Sequence, residues 1–266
     1  MSKIGFIGTG VMGSALARAV SKNCKDIMLS NIPDSAAKAL AKEIGAEAAD
    51  NKKLAESCEY IVLAVKPQVI FSVLDEIAPI LKARKDSFVI ISIAAGVTIE
   101  SIKQAIGVSC PIIRLMPNTP VSVGCGVVLC SFDGTDDAQK TGFFEMFSAA
   151  GLCDEIAEEK IDAAGALTGC GPAFAYMVMQ ALADGAVNCG IDRKTATIYA
   201  EKTVAGAAEL ALGTGEHLDK LKDLVCSPAG STIEGVNVLE NRCVRAAFAD
   251  AVKASYRRNR ELGKKK

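Results

Sequence analysis

The chain of 266 residues has no tryptophan, a single histidine (His217) and only 5% aromatic residues. It has no C-x-x-C pair, although it carries 10 cysteines. Scattered thiols and one histidine do not make a zinc-ligand set, so no metal site is expected. The formal net charge is -1, with no basic excess, which argues against nucleic acid as a partner. No apolar stretch reaches the length of a membrane span. Phe88 to Val97 comes nearest and is interrupted by Ser92, so no membrane partner is expected. The first strand begins by Lys3 and leaves no room for a targeting segment, which predicts a cytoplasmic protein with reduced, mostly buried thiols. The terminal Lys264, Lys265 and Lys266 read as a solvated tail.

Half the residues are apolar, and their arrangement carries the information. Ile4, Phe6 and Ile7 form a short run suited to a strand buried on both faces. Gly8, Gly10 and Gly13 follow at G-x-G-x-x-G spacing, and Ala15 to Val20 continue as helix. In that order the first glycine allows a tight turn and the second lets a pyrophosphate approach the backbone. The third lets the helix pack against the strand. Free N–H groups at the helix start then face the anion. The stretch predicts a dinucleotide site.

Strand and helix patterns alternate over the next 150 or so residues, which predicts a doubly wound, mostly parallel α/β sheet of Rossmann type. Ile27 to Ser30 reads as strand and Pro33 to Ile44 as helix. Asn51 is expected to cap a short helix running through Cys58. Tyr60 to Val65, Phe88 to Ile93 and Ile112 to Met116 read as further strands. Gly126 to Ser131 and Leu152 to Ile156 close the sheet around a helix from Asp137 to Ala149. Where NAD-selective proteins of this type place an acid, Ser30 and Asn31 stand instead. Neither repels a 2′-phosphate, and no arginine is present to hold one. This modestly favours NADPH and leaves NADH possible, while Asn31 also serves as a plain turn former before Pro33.

From Ile161 the texture changes to long stretches rich in Ala, Leu and Gly, with no strand pattern. The expected domains are therefore 1–160, nucleotide-binding, and 161–266, helical. Helices are predicted from Gly171 to Asn188 and, capped by Asp192, from Arg193 to Leu212. Small residues on several faces imply burial on more than one side, and so a homodimer through this half. Ser227 to Thr232 run into a helix from Ile233 to Glu240. Their hydroxyls and free N–H groups at a helix start suit a small carboxylate, although a Pro/Gly turn between helices is also ordinary.

Together the segments GFIGTGVMGSALA, LAVKPQ, SIAAGVTIESI, IRLMPNTP, ALTGCGPAFAY, QALADGAVNCGI and LKDLVCSPAGSTIEGVNVLE resemble the pyrroline-5-carboxylate reductases, in order and over nearly the whole chain. The resemblance implies a Rossmann domain followed by an all-α dimerisation domain, with dimers that in many members assemble into decamers. It implies reduction of 1-pyrroline-5-carboxylate to L-proline, the last step of proline biosynthesis. It assigns Ile7, Gly8, Thr9, Gly10, Val11 and Met12 to the pyrophosphate, and Ser30, Asn31 and Asn51 to the adenosine ribose. Ala64, Val65, Lys66 and Pro67, with Ala94, Ala95 and Gly96, fall on the nicotinamide side. Ser227, Gly230, Ser231 and Thr232 fall on the substrate, with Ser227 and Thr232 as the catalytic pair and Thr232 nearest the ring nitrogen. Two departures stand out: Pro228-Ala229-Gly230 where many members have Pro-Gly-Gly, and Cys170 in place of a common serine.

The N-terminus, Gly5 to Gly13, also reads much like that of the β-hydroxyacid dehydrogenases. Those enzymes need a lysine on the first long helix after the Rossmann domain, to take a proton from an alcohol. Between Ile161 and Gly190 the chain has no lysine. An imine already protonated on nitrogen needs none.

Overall fold

The computed structural model describes residues 3–264, so Lys265 and Lys266 of the expected basic tail lie outside the described residues. It divides into two compact units, one of residues 3–170 with 255–264 and one of residues 171–254.

The first unit is built on an eight-stranded sheet. Its strands are β1 (Ile4–Ile7), β2 (Ile27–Ser30), β3 (Glu47–Ala48), β4 (Tyr60–Leu63), β5 (Val89–Ser92), β6 (Ile112–Pro117), β7 (Gly126–Asp133) and β8 (Gly151–Glu155). Their order across the sheet is β3-β2-β1-β4-β5-β6-β7-β8. All pairings are parallel except β6 with β7. Every residue of β1, β2, β4 and β5 is buried, which explains why these strands read as continuous apolar runs.

Successive side chains enter opposite layers. Phe6 belongs to one buried cluster, shared with Leu16 of α1 (Val11–Val20), Leu40 of α2 (Ser35–Ile44) and Phe143 of α6 (Asp137–Phe147). Ile7 belongs to a second buried cluster, shared with Leu54 of α3 (Asn51–Ser57), Leu74 of α4 (Ile70–Ala83) and Ile102 of α5 (Ile99–Ile106). The chain order reverses between β1 and β4, the place where open α/β sheets leave a crevice beyond their carboxyl ends.

The last element of this unit before the boundary is α7 (Glu158–Thr168). It is fastened by the buried Arg114 of β6, whose guanidinium donates to Glu158 at 3.2 Å and Asp162 at 2.7 Å. Asn118, also buried, donates to the Thr168 carbonyl and accepts from the Val127 N–H, tying α7 to the start of β7.

The second unit is helical: α8 (Gly171–Asn188), α9 (Arg193–Thr214), α10 (Leu218–Leu224), α11 (Ser231–Asn241) and the first part of α12 (Val244–Lys264). Asp192 caps α9 by accepting from the Thr195 N–H, and Gly215 ends it in the left-handed conformation. The buried core of this unit is small, centred on Ala183, Ala196 and Ala200. Met177, Leu212, Leu224 and Val238 remain exposed in the single chain.

Two expectations need correction. The cap of α3 is Asp50, whose side chain accepts from the Lys53 N–H, and not Asn51, which turns inward. The α2 helix begins at Ser35 after Asp34, since Pro33 lies in the preceding turn. Within Glu158–Asn188 one 18-residue window reaches a mean hydropathy of 1.2, the one stretch among the described residues that is long and apolar enough to cross a membrane by length and composition alone.

Candidate active site

The three glycines of the first loop do different work. Gly8 sits at φ +105°, and a Cβ there would fall 2.6 Å from the Ala64 carbonyl oxygen. A Cβ at Gly13 would fall 2.3 Å from the Gly8 oxygen. The fold itself therefore requires both. At Gly10 a Cβ would meet nothing within 4 Å, and φ is an ordinary -67°. Nothing in the folded chain accounts for Gly10, which opens α1 beside free N–H groups. The Thr9 hydroxyl in the same loop is buried with no hydrogen-bond partner among the described residues. An open anion-binding helix start beside an orphaned hydroxyl fits a dinucleotide pyrophosphate.

The loop is held from β2. The Thr9 N–H donates to Asn31 Oδ1 at 2.9 Å, and Asn31 Nδ2 donates to the Pro33 carbonyl at 2.9 Å. Behind it, Ser30 Oγ donates to Asn51 Oδ1 at 2.6 Å, and Asn51 Nδ2 donates to Glu76 of α4 at 2.7 Å. Ser30 and Asn51 are both buried.

Two cavities open along this crest. One, of about 300 Å³, is bordered by Ile7, Gly8, Gly10, Ala64, Val65 and Lys66. The other, of about 410 Å³, is bordered by Ser30, Asp34, Lys38, Asp50, Asn51 and Glu76. Asn31, Ile32 and Asn51 line both. A hydrogen bond and the charge of Lys38 hold the Asp34 carboxyl below its usual range. Lys66 has no ion-pair partner among the described residues.

Of the expected nucleotide residues, Ile7, Gly8, Gly10, Ser30, Asn31, Asn51, Ala64, Val65 and Lys66 border these cavities. Thr9, Val11 and Met12 belong to the loop and first turn between them, with Val11 83% exposed. Pro67 lies in the turn after β4, and Ala94, Ala95 and Gly96 follow β5, the neighbour of β4. These four border neither cavity.

The residues expected at the substrate lie in the second unit. Gly230 is the residue before α11 and donates its N–H to the Ser227 carbonyl at 3.0 Å. A Cβ at Gly230 would stand 2.3 Å from Ser227 Oγ. Ala229 takes the left-handed conformation, at φ 55°, that favours glycine. Ser231 and Thr232 open the helix with free N–H groups, and no side-chain cap occupies them. The hydroxyls of Ser227, Ser231 and Thr232 have no hydrogen-bond partner among the described residues.

A pyrroline-5-carboxylate reductase of Methanosarcina acetivorans is 40% identical to this chain over 270 aligned positions, covering 99% of this chain and 98% of the relative. The chain belongs to the pyrroline-5-carboxylate reductase family. A reductase of the same name from Escherichia coli is 38% identical, covering 98% of each chain. The solved structure of the Coxiella burnetii reductase superposes with a TM-score of 0.90 at 34% identity over 98% of both chains. That of the Plasmodium falciparum enzyme with NADP bound superposes at 0.87 with 30% identity and the same coverage.

Residues 158–262 match the family model for pyrroline-5-carboxylate reductase dimerisation, so the chain carries a domain built for self-association. Residues 3–96 match the model described as NADP oxidoreductase, coenzyme F420-dependent. The fold is thus the family's: a mostly parallel Rossmann-type sheet with flanking helices, then a helical dimerisation region. The chain is an oxidoreductase that uses a nicotinamide cofactor.

Sequence reasoning missed Ile32, Glu76 and Lys38. The available signal was an apolar residue between the turn residues Asn31 and Pro33, and the structure leaves Ile32 89% exposed there. Glu76 reaches the site only because α4 packs on α3, which no local pattern announces.

Proposed function

We propose that the chain reduces the C=N bond of 1-pyrroline-5-carboxylate to give L-proline, with NADPH as the preferred donor and NADH as a second. Family membership carries the reaction class, and the observation beneath it is 40% identity across 99% of the chain. When bound, the reduced nicotinamide supplies the hydride.

The chain's own residues bind, align and exclude water. The N–H groups and Thr9 hydroxyl of the Gly8–Met12 loop take the pyrophosphate. Ser30, Asn31 and Asn51 take the adenosine ribose. Ala64 to Pro67 and Ala94 to Gly96, small or apolar for the most part, take the nicotinamide side. Ser227, Gly230 and Ser231 receive the substrate carboxylate on the free N–H groups of α11, and Thr232 holds the ring nitrogen by its hydroxyl. No acid or base is required at that point, because the reactive imine already carries its proton. The protein's contribution is alignment at contact distance and a dry site.

The preference for NADPH is supported by the uncharged Ser30 and Asn31 at the end of β2 and by the NADP-bound Plasmodium relative. We further assign residues 1–160 to nucleotide binding and 161–266 to substrate binding and dimerisation. The exposed Met177, Leu212 and Val238, together with the apolar 158–188 run, support burial against a second subunit rather than in a membrane. Assembly of dimers into decamers and a cytoplasmic location complete the proposal.

The test is a steady-state assay of pyrroline-5-carboxylate with NADPH and NADH side by side. Turnover with a higher kcat/KM for NADPH is expected. Inertness with both cofactors overturns the assignment.

A further inference from the structure

The hydrogen bonds behind β2 have a direction. A carboxylate only accepts, so the Asn51 atom facing Glu76 is the amide NH2, and its Oδ1 is turned toward Ser30. The one hydroxyl proton of Ser30 is then committed to Asn51, at 2.6 Å. What Ser30 offers the cavity is lone pairs. An acceptor suits a ribose 2′-hydroxyl, which donates. It does not suit a 2′-phosphate, which needs donors.

Charge points the same way. The 410 Å³ cavity is bordered by three carboxylates, Asp34, Asp50 and Glu76, against one ammonium, Lys38. Lys38 is paired with Asp34 at 2.5 Å, and Asp50 is occupied in capping α3. Glu76 has no ion-pair partner among the described residues and bonds only to Asn51.

We propose that Glu76 is a positioning residue that sets cofactor selectivity. By orienting Asn51 it leaves Ser30 Oγ as an acceptor for the ribose 2′-hydroxyl, and it adds negative potential against a 2′-phosphate. Glu76 thereby restrains the NADPH preference left by the missing acid at the end of β2, and keeps NADH usable. The inference rests on reading this cavity as the adenosine end of the nucleotide site.

The experiment is calorimetric binding of two probes, 5′-AMP and 2′,5′-ADP, to the full chain and to its Glu76→Gln and Glu76→Ala variants. Gln keeps an acceptor for Asn51 and removes the charge. It should tighten 2′,5′-ADP about 5-fold while leaving 5′-AMP within about 2-fold, and the gain should shrink at ~1 M salt. Ala removes the anchor as well. It should weaken 5′-AMP about 3-fold, a loss that Gln does not show. An unchanged preference between the probes in Gln, or equal 5′-AMP affinity in all three proteins, overturns the proposal. Failure of both probes to bind any of the proteins overturns the cavity assignment and the proposal with it. These outcomes are independent of whether the chain turns over pyrroline-5-carboxylate, so the two readings fail separately.

Discussion

The Thr9 N–H and the Asn31 side-chain oxygen, 22 residues apart, meet at 2.9 Å and fix the glycine loop to the end of β2. The loop therefore does not wait for its ligand to be shaped. Asn31 gives one lone pair of its oxygen to Thr9 and one amide hydrogen to Pro33, so it shapes the loop as well as lining both cavities. Replacing Asn31 by Ala leaves the Thr9 N–H without that partner, at a cost of ~1 to 3 kcal/mol. The expected result is a Kd for NADPH raised about 10-fold, read from the fluorescence of the bound nucleotide, with kcat within about 2-fold. An unchanged Kd would mean the loop keeps its shape without Asn31.

The contrast between Gly13 and Gly10 gives a paired test. Gly13→Ala drives a Cβ to 2.3 Å from the Gly8 oxygen, so α1 must move off β1. A loss of about 2 kcal/mol or more in denaturant unfolding is expected. Gly10→Ala meets no protein atom, so stability should stay within about 0.5 kcal/mol while nucleotide affinity falls at least ~10-fold. If Gly10→Ala binds nucleotide normally, the space beside Gly10 does not hold the pyrophosphate.

Much of this architecture was legible in the sequence because burial on both faces leaves a plain signature. Ile4–Ile7 and Tyr60–Leu63 read as strands since no residue in them needs water. The two-residue edge strand Glu47–Ala48 is too short and too exposed to leave such a pattern. The antiparallel run of β7 was not legible either, because its direction depends on the turn made by residues 118–125 and not on its own residues. At the site, the glycine loop announced itself by spacing. Asn51 was misjudged as a cap because Asp50, one residue earlier, is an equally good one. Only the tertiary contact with Ser30 and Glu76 decides between them. The helices α10 and α12 carry no comparable stripe of buried residues in the single chain, so their pattern was faint.

Thr232 bears on the chemistry directly. Its hydroxyl is exposed in the first turn of α11 and serves no helix cap, so its removal should not disturb folding. Thr232→Ala is expected to lower kcat/KM for pyrroline-5-carboxylate by about 10-fold or more, as the loss of one aligned hydrogen bond in the transition state predicts. The melting temperature and the Kd for NADPH should stay unchanged. Unaltered catalytic efficiency would remove Thr232 from the site.

A last prediction concerns alkaline pH, where unfolding releases buried acids of the first unit to ionise. Burial pushes the Cys58 and Cys110 thiols up to about 11, Cys130 to about 12 and the Tyr60 phenol to about 12. All four lie in the packed layers beside the sheet. Each folded value lies above the unfolded one, so the folded state holds more protons between the two. Stability from these groups is complete below the ordinary thiol value of 9.0 and is lost as pH rises through 11 to 12. One fully buried thiol shifted by two units contributes up to ~3 kcal/mol over that window. The unfolding midpoint should therefore hold steady from about pH 7 to 8 and fall steeply above about pH 9. Cys130→Ser keeps a donor for the Asp154 carbonyl, which the thiol now reaches at 3.2 Å, but no longer titrates in this range. Its stability should fall less steeply with alkali than that of the parent. Identical slopes in the two proteins would mean that the Cys130 thiolate is not what the folded state excludes.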